Sequence, residues 1–317
     1  MSSAQPIRIL IVTEPDQPTS YLVNQLARCW HDAGFSVEFT CTLDAPNRAD
    51  VVVLHLDKTL VPDPYLEFAR RHPAHVNGNA RSISKELFSQ HLVDPSVGTD
   101  HPVIIKTKSN YGGMREDSRR AGIWGSVRLS RWTTKVALTK RAISPGIRNV
   151  AWRNVTSLGD YPLLDSSRDV PAGVWDNPHL IVERFCPERN DAGAYVVRHW
   201  FFLGDREFSR TIASMRPVTK WSRMTEAERQ ISREEWWDVE VVPEAVVPPR
   251  VRSVREDLHL DFGRIDWAYH EGEPVVFDVN KTPSFRLPPA GESELRRRIL
   301  SLLSDFASGV NAIALKA

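Results

Sequence analysis

Between Gly263 and Asn280 the sequence reads Gly-Arg-Ile-Asp-Trp-Ala-Tyr-His-Glu-Gly-Glu-Pro-Val-Val-Phe-Asp-Val-Asn. Alternating apolar and polar residues on either side of Glu271-Gly272 predict a β-hairpin. Alternate residues of a strand share a face, so Arg264 points with Asp266, Asp278 points with Asn280, and the turn brings the two pairs together. Two carboxylates and an amide oxygen on neighbouring strands are hard oxygen donors. They suit Mg²⁺, which takes one or two carboxylates and completes its shell with water or phosphate oxygens. With Arg264 beside such a cation, that face would trap an anion.

Other segments carry polar side chains on apolar strands. Pro102-Val-Ile-Ile-Lys106 is a strand that runs into the glycine loop Asn110-Tyr-Gly-Gly113. Leu180 to Phe185 and Ala194 to Leu203 are strands, the second turning through Gly204-Asp205 into Glu207 to Ser214. Arg198 and Arg210 lie on this pair, each able to face either a site or solvent. The ten histidines show no metal-ligand spacing, and no cysteine has a paired base that the sequence reveals, so no nucleophile is assigned.

The elements that position these residues follow from periodicity. Ile7 to Val12 is a buried parallel strand. Leu22, Leu26 and Trp30 mark a helix ending at Gly34, Phe35 to Cys41 and Asp50 to Leu56 are further strands, Tyr65 to Arg71 is a short helix, and His75 to Asn77 is a last strand. This first unit is α/β and doubly wound. Its first turn, Thr13-Glu-Pro-Asp-Gln-Pro18, lacks glycine and so cannot cradle a dinucleotide, and no P-loop motif occurs in the chain. Ser84 to Leu92 suits a helix, and Leu295, Ile299, Leu302, Phe306 and Val310 give a closing helix one apolar face.

At 317 residues, with 41% hydrophobic and 26% charged side chains, the chain is long enough for two or three packed units and too apolar for disorder. A net charge of +1 removes any whole-protein attraction to nucleic acid or membrane. Charge is local instead: Met114 to Asp160 holds ten basic residues against three acidic ones. Three cysteines without C-x-x-C spacing, no signal peptide and no membrane-length apolar run lead us to expect a cytoplasmic protein.

The order of strand lysine, glycine loop and acidic hairpin resembles the ATP-grasp superfamily of carboxylate-amine ligases, which includes D-alanine-D-alanine ligase and the ribosomal-protein glutamate ligase. The resemblance spans about Asn77 to Arg286. It implies an α/β (α+β) fold in three parts: a Rossmann-like pre-ATP-grasp domain (1–77), a small lobe with a glycine-rich lid and basic insertion (78–180), and a large lobe with the metal site (181–317). It implies ATP and one or two Mg²⁺ ions, with Mn²⁺ able to substitute.

Residue by residue, the resemblance places Lys85 near the α-phosphate, Lys106 between the α- and β-phosphates, and Asn110, Gly112 and Gly113 in the lid. It makes Glu183, Arg184, Phe185 and Cys186 the adenine hinge, with Glu188 or Asp191 on the ribose. Asp266, Asp278 and Asn280 fall on the metal ligands, Asp278 replacing the commoner Glu. Arg264 would hold the acyl phosphate, with Arg198 and Arg210 as further catalytic candidates. The expected reaction joins a carboxylate, of a small molecule or peptide, to an amine through an acyl phosphate. The alternatives are a kinase of the same fold and a non-enzymatic nucleotide- or RNA-binding protein. About 67 residues separate Gly113 from Leu180, more than the scaffold needs, which points to an enlarged lid or to recognition of an anionic acceptor. A homodimer is compatible with this reading, whereas nucleic-acid and membrane partners are not expected.

Overall fold

The computed structural model describes residues 6–15, 17–44, 49–113, 145–218, 246–288, 291 and 293–315. The architecture is mixed α/β with three sheets. The first sheet contains β1 (Arg8–Thr13), β2 (Ser36–Thr40), β3 (Val51–His55) and β4 (Ala74–Val76), all parallel in the order β2-β1-β3-β4. Its central strands are buried on both faces, as their unbroken apolar runs require. Helix α1 (Leu22–Asp32) covers one face through Leu22, Val23, Leu26 and Trp30, and α2 (Asp63–Arg70) covers the other through Leu66, Phe68 and Ala69.

The second sheet is small and antiparallel. It comprises β5 (Val103–Thr107), β6 (Leu163–Leu164) and β7 (Leu180–Arg184), in the order β6-β5-β7. Val103 and Ile105 point into a core with Val182, Trp152 of α3 (Pro145–Arg153) and Leu158. By the period of two, Ile104 and Lys106 therefore point the other way. Because β7 pairs with β5, Leu180–Arg184 belongs to this sheet, at the edge of the division expected after residue 180.

The third sheet joins β8 (Glu188–Arg189), β9 (Tyr195–Leu203), β10 (Arg206–Ser214), β11 (Phe262–His270) and β12 (Glu273–Asn280), all antiparallel. One face packs Trp200, Phe202, Ile265 and Trp267 onto α4 (Pro249–Asp257). The other packs Phe201, Leu203, Phe208 and Phe262 onto α5 (Ser293–Ala307), α6 (Gly309–Ala314) and the first sheet, so the N-terminal unit and the large sheet share one core. No helix among the described residues is long and apolar enough to cross a membrane.

Two elements differ from expectation. Ser84 to Leu92 is not a helix: only Lys85–Leu87 makes a 3₁₀ turn. Lys85 N–H donates to Lys108 O, and beyond Phe88 the chain lies along the edge of β7, where Arg184 N–H meets His91 O and Val93 N–H meets Val182 O. Tertiary pairing takes the groups a helix would have used. The closing helix breaks at Ser308 because the Trp30 indole donates to Ala307 O at 2.8 Å. Asn311 N–H, which would have used that carbonyl in an unbroken helix, turns to Ser308 O.

His55, at the end of β3, is 2% exposed, and neither ring nitrogen has a hydrogen-bond partner among the described residues. Burial, with the nearby Lys281 cation adding to it, pushes its pKa down from 6.5 to about 3. The unfolded chain takes up this proton below pH 6.5 while the folded chain does not, so stability falls as pH drops from about 6.5 towards 3. Between pH 7 and pH 5 the loss is about 2 kcal/mol at roughly 1.4 kcal/mol per pH unit. Urea midpoints at the two pH values should show it, and His55→Leu should flatten this limb. An equally steep acid limb in that variant would rule His55 out as its source.

Candidate active site

The cross-strand register of the large sheet builds the site. Residues paired directly across an antiparallel ladder project to one side. Arg210 on β10 pairs with His199 on β9, His199 with Asp266 on β11, and Asp266 with Asp278 on β12. These four side chains form a polar row beside the apolar Phe201 and Phe208, with Arg264 and Asn280 in the adjoining row. The row marks where the shared core ends and a cleft of about 540 Å³ begins. Between Asp266 and Trp267 the register shifts, so Phe277 is an extra residue on β12. Its carbonyl accepts from Lys106 Nζ at 3.3 Å, a contact that crosses from the small sheet to the large one.

Two lysines face this row from the opposite wall. Lys106 Nζ lies 2.5 Å from Glu183 Oε2, both side chains only 7% exposed. Lys85, 1% exposed, places Nζ 2.9 Å from Asp278 Oδ1 and 3.3 Å from Ser109 O. The Asp278 Oδ1 contact is an ion pair: among the described residues that oxygen accepts no aligned hydrogen bond. Burial opposes the Asp278 charge, but Lys85, Lys106 and Arg264 outweigh it and hold the carboxyl below its usual range. Burial likewise opposes the Lys85 charge, and Asp278 raises its pKa above the ordinary value. The pair is charged on both sides. Tyr161, half-buried with its phenol enclosed beside them and hydrogen-bonded to Thr107, has that phenol's pKa pushed up by desolvation.

At the other end of the row Arg264 forks onto Asp266, Nε to Oδ1 at 2.6 Å and Nη2 to Oδ2 at 2.8 Å. Burial, seconded by Asp278, raises the Asp266 pKa against the pull of Arg264. Arg210 donates from Nε to His199 Nδ1 at 3.3 Å, which places the proton of a neutral His199 on Nε2, 3.7 Å from Asp266 Oδ1. Burial and the two flanking arginines push the His199 pKa well below its usual value. Burial and Arg264 lower that of Arg210.

The donor set fits a hard divalent cation. Asp266, Asp278 and Asn280 offer oxygen ligands, converge on adjacent strands, and include a buried carboxylate oxygen, Asp278 Oδ1, without an aligned hydrogen bond among the described residues. Among the described residues no group of three or more His, Cys, Asp or Glu could hold a metal, so a metal here rests on two carboxylates and an amide. Lys85 and Arg264 neutralise those carboxylates in this structure.

The remaining expected residues are distributed as follows. Glu183, Arg184, Phe185 and Cys186 all line the cleft, as does Asn110. The peptide donors of the hinge are partly committed: Arg184 N–H goes to His91 O and Phe185 N–H to Pro102 O. The Cys186 thiol is buried, and burial raises its pKa. Glu188 lines the cleft, whereas Asp191 is exposed and does not. Gly112 and Gly113 do not line it either. Both have positive φ, and a Cβ on Gly113 would strike Thr156 O, so this glycine pair packs against 156–158. Residues 114–144, with most of the basic stretch, lie outside the described residues; Arg153 pairs with Asp176 at 2.7 Å.

Arg198 is on the wrong face for a catalytic role. It alternates with His199, so it lies on the opposite side of the sheet from Asp266, ion-paired with Glu188 and stacked over Trp267 and Tyr269. Glu188 also accepts from Tyr269 N–H at 2.6 Å. Sequence reasoning missed His199, Tyr161, Tyr21, Asp57 and Thr282, all of which line the cleft. Only His199 left a usable signal, one position from Arg198 on the same strand.

No protein-family model and no curated protein matches the sequence. Solved structures similar to this chain include the macrocyclase MdnC bound with precursor peptide MdnA from Microcystis aeruginosa (11% identity, 98% of this chain and 100% of that chain, TM-score 0.48). An ATP-grasp RimK domain protein from Sphaerobacter thermophilus is also similar (10% identity, 95% and 99% covered, TM-score 0.43). So is D-alanine–D-alanine ligase from Bacillus anthracis (9% identity, 98% and 98% covered, TM-score 0.44). At such identities and scores the function has to be read from the cleft itself.

Proposed function

We propose that this chain is an ATP-grasp-type ligase that uses ATP and Mg²⁺ to join a carboxylate to an amine. One observation carries the reading: Lys85 and Lys106 reach across a cleft to the face holding Asp266, Asp278 and Asn280. Cations on one wall and hard oxygens on the other are what a metal-bound triphosphate needs. In this reading residues 1–77 close one end of the cleft, 78–180 supply the lysines, and 181–317 supply the metal ligands and arginines. The protein works in the cytoplasm, on small-molecule or peptide substrates.

The roles follow from charge and position. Lys106 leaves Glu183 to neutralise phosphate oxygens as a compact ammonium, and Glu183 turns to the adenine amino group. Lys85 exchanges Asp278 for phosphate. A bound Mg²⁺ would neutralise the phosphate oxygens and so lower the barrier to phosphoryl transfer. The substrate carboxylate oxygen attacks the γ-phosphorus as the bond to the ADP oxygen breaks. The amine nitrogen then attacks the acyl carbon, inorganic phosphate departs with the bonding pair, and the nitrogen loses a proton. Arg264 and Arg210 stabilise the negative charge of the acyl phosphate and of the tetrahedral intermediate.

The test is incubation with ATP, Mg²⁺ and hydroxylamine over a panel of amino acids, dicarboxylates and short peptides. A hydroxamate formed together with ADP and phosphate is expected. A phosphorylated alcohol without hydroxamate would make the chain a kinase, and nucleotide binding without either product would make it a binding module.

A further inference from the structure

Asn280 shares its amide oxygen with Thr282 in a way that involves the N-terminal unit. Thr282 N–H donates to Asn280 Oδ1 at 2.9 Å, filling one of the two lone pairs of that oxygen. The Thr282 hydroxyl has one proton and, among the described residues, two acceptors, Asn280 Oδ1 at 3.3 Å and Asp57 Oδ1 at 3.3 Å. Asp57 follows β3, 225 residues earlier in the chain, and its other oxygen accepts from the Tyr21 hydroxyl at 2.5 Å. Tyr21, Asp57, Asn280 and Thr282 all line the cleft, and Thr282 is only 2% exposed. A carboxylate is a stronger acceptor than an amide. The hydroxyl proton therefore goes to Asp57, and the second lone pair of Asn280 stays open.

We propose that Asp57 is a positioning residue for the divalent cation: by drawing the Thr282 hydroxyl proton to itself, it keeps Asn280 Oδ1 able to ligate. This rests on the metal role given to Asn280 above and adds a residue from the N-terminal unit to it. The contact of Tyr21 with the second Asp57 oxygen fixes the carboxylate that does the drawing.

Asp57→Asn reverses the allocation. The new amide N–H donates to Thr282 Oγ1, the hydroxyl proton swings to Asn280 Oδ1, and both lone pairs of that oxygen are filled. Thr282→Val removes the hydroxyl, so the identity of residue 57 ceases to matter to Asn280. Thr282→Ser keeps it. A loss of negative charge near the cation would act equally whatever stood at 282.

The experiment is Mn²⁺ binding to the full chain at saturating ADP, read from the electron paramagnetic resonance signal of free Mn²⁺, with a thermal melt of each variant. Asp57→Asn is expected to weaken Mn²⁺ about tenfold, a usual effect for a group that orients a metal ligand, and to do so again in the Thr282→Ser background. In the Thr282→Val background the same change is expected to cost less than about twofold, leaving a clear coupling. An equal loss in all three backgrounds, or none in any, overturns the proposal. If Asp57→Asn does not fold, Tyr21→Phe loosens the carboxylate and keeps its charge. It should cost about threefold, the scale of one hydrogen bond, and Thr282→Val should abolish that cost; a cost that persists overturns the proposal. Failure of the unsubstituted protein to bind Mn²⁺ would overturn the ligase reading and this proposal together.

Discussion

Asp278→Asn is expected to abolish ATP-dependent turnover and to destabilise the fold as well. The first effect follows from its place in the row: it is the carboxylate on which both the metal set and the cross-cleft ion pair depend. The second follows from Lys85, which is 1% exposed and would keep its charge while its contacting carboxylate becomes a neutral amide, leaving uncharged oxygens such as Ser109 O beside Nζ. Breaking a fully buried pair from one side costs about 3–5 kcal/mol, and with the Asp278 side chain 31% exposed the loss here is expected at or below the lower end of that range. The metal role of Asp278 accounts for the loss of turnover alone; the ion pair with Lys85 adds the stability cost. Adding Lys85→Met should restore most of the stability, since the stranded cation is gone, and none of the turnover. Urea midpoints and ADP release separate the two effects. Recovery of turnover in the double variant would remove Asp278 from the chemistry.

Lys106→Met should weaken nucleotide binding by roughly thirty- to a hundredfold, because a charge-assisted contact to phosphate contributes about 2–3 kcal/mol even before transition-state charge develops. It also leaves Glu183, 7% exposed, without the ammonium at 2.5 Å. Stability therefore falls too, and Glu183→Gln in the same chain should recover it while nucleotide affinity stays low. Calorimetric titration with ADP and Mg²⁺ measures the affinity. Unchanged affinity in Lys106→Met would place the phosphates elsewhere in the cleft.

How much of this was legible in the sequence depended on whether local pattern or distant pairing set each residue's direction. The hairpin carrying Asp266 and Asp278 is bounded by a two-residue turn in which Glu271 and Gly272 both have positive φ, and its alternation fixes which residues share a face. Lys106 was legible for the same reason, as the polar end of an apolar strand. For β9, alternation separates Arg198 from His199 but cannot say which of them faces Asp266. That depends on the register of β9 against β11, which begins about sixty residues later in the chain. The charged residue of the two, Arg198, turned out to be on the far face, and the neutral one, His199, lies in the row. Lys85 was placed on a helix because its neighbours have helical spacing, and pairing with Lys108 and the edge of β7 overrode that preference. The bulge at Phe277, which turns a carbonyl towards Lys106, left no mark in composition.

The most direct test of the central claim is the anomalous difference density of Mn²⁺ in a crystal grown with a non-hydrolysable ATP analogue. The account predicts a peak within about 2.5 Å of Asp278 and Asn280 oxygens, as first-row and alkaline-earth cations require, with the triphosphate running from it to Lys106. A metal peak away from the β11–β12 strands, or a triphosphate that never meets Lys106, would contradict it.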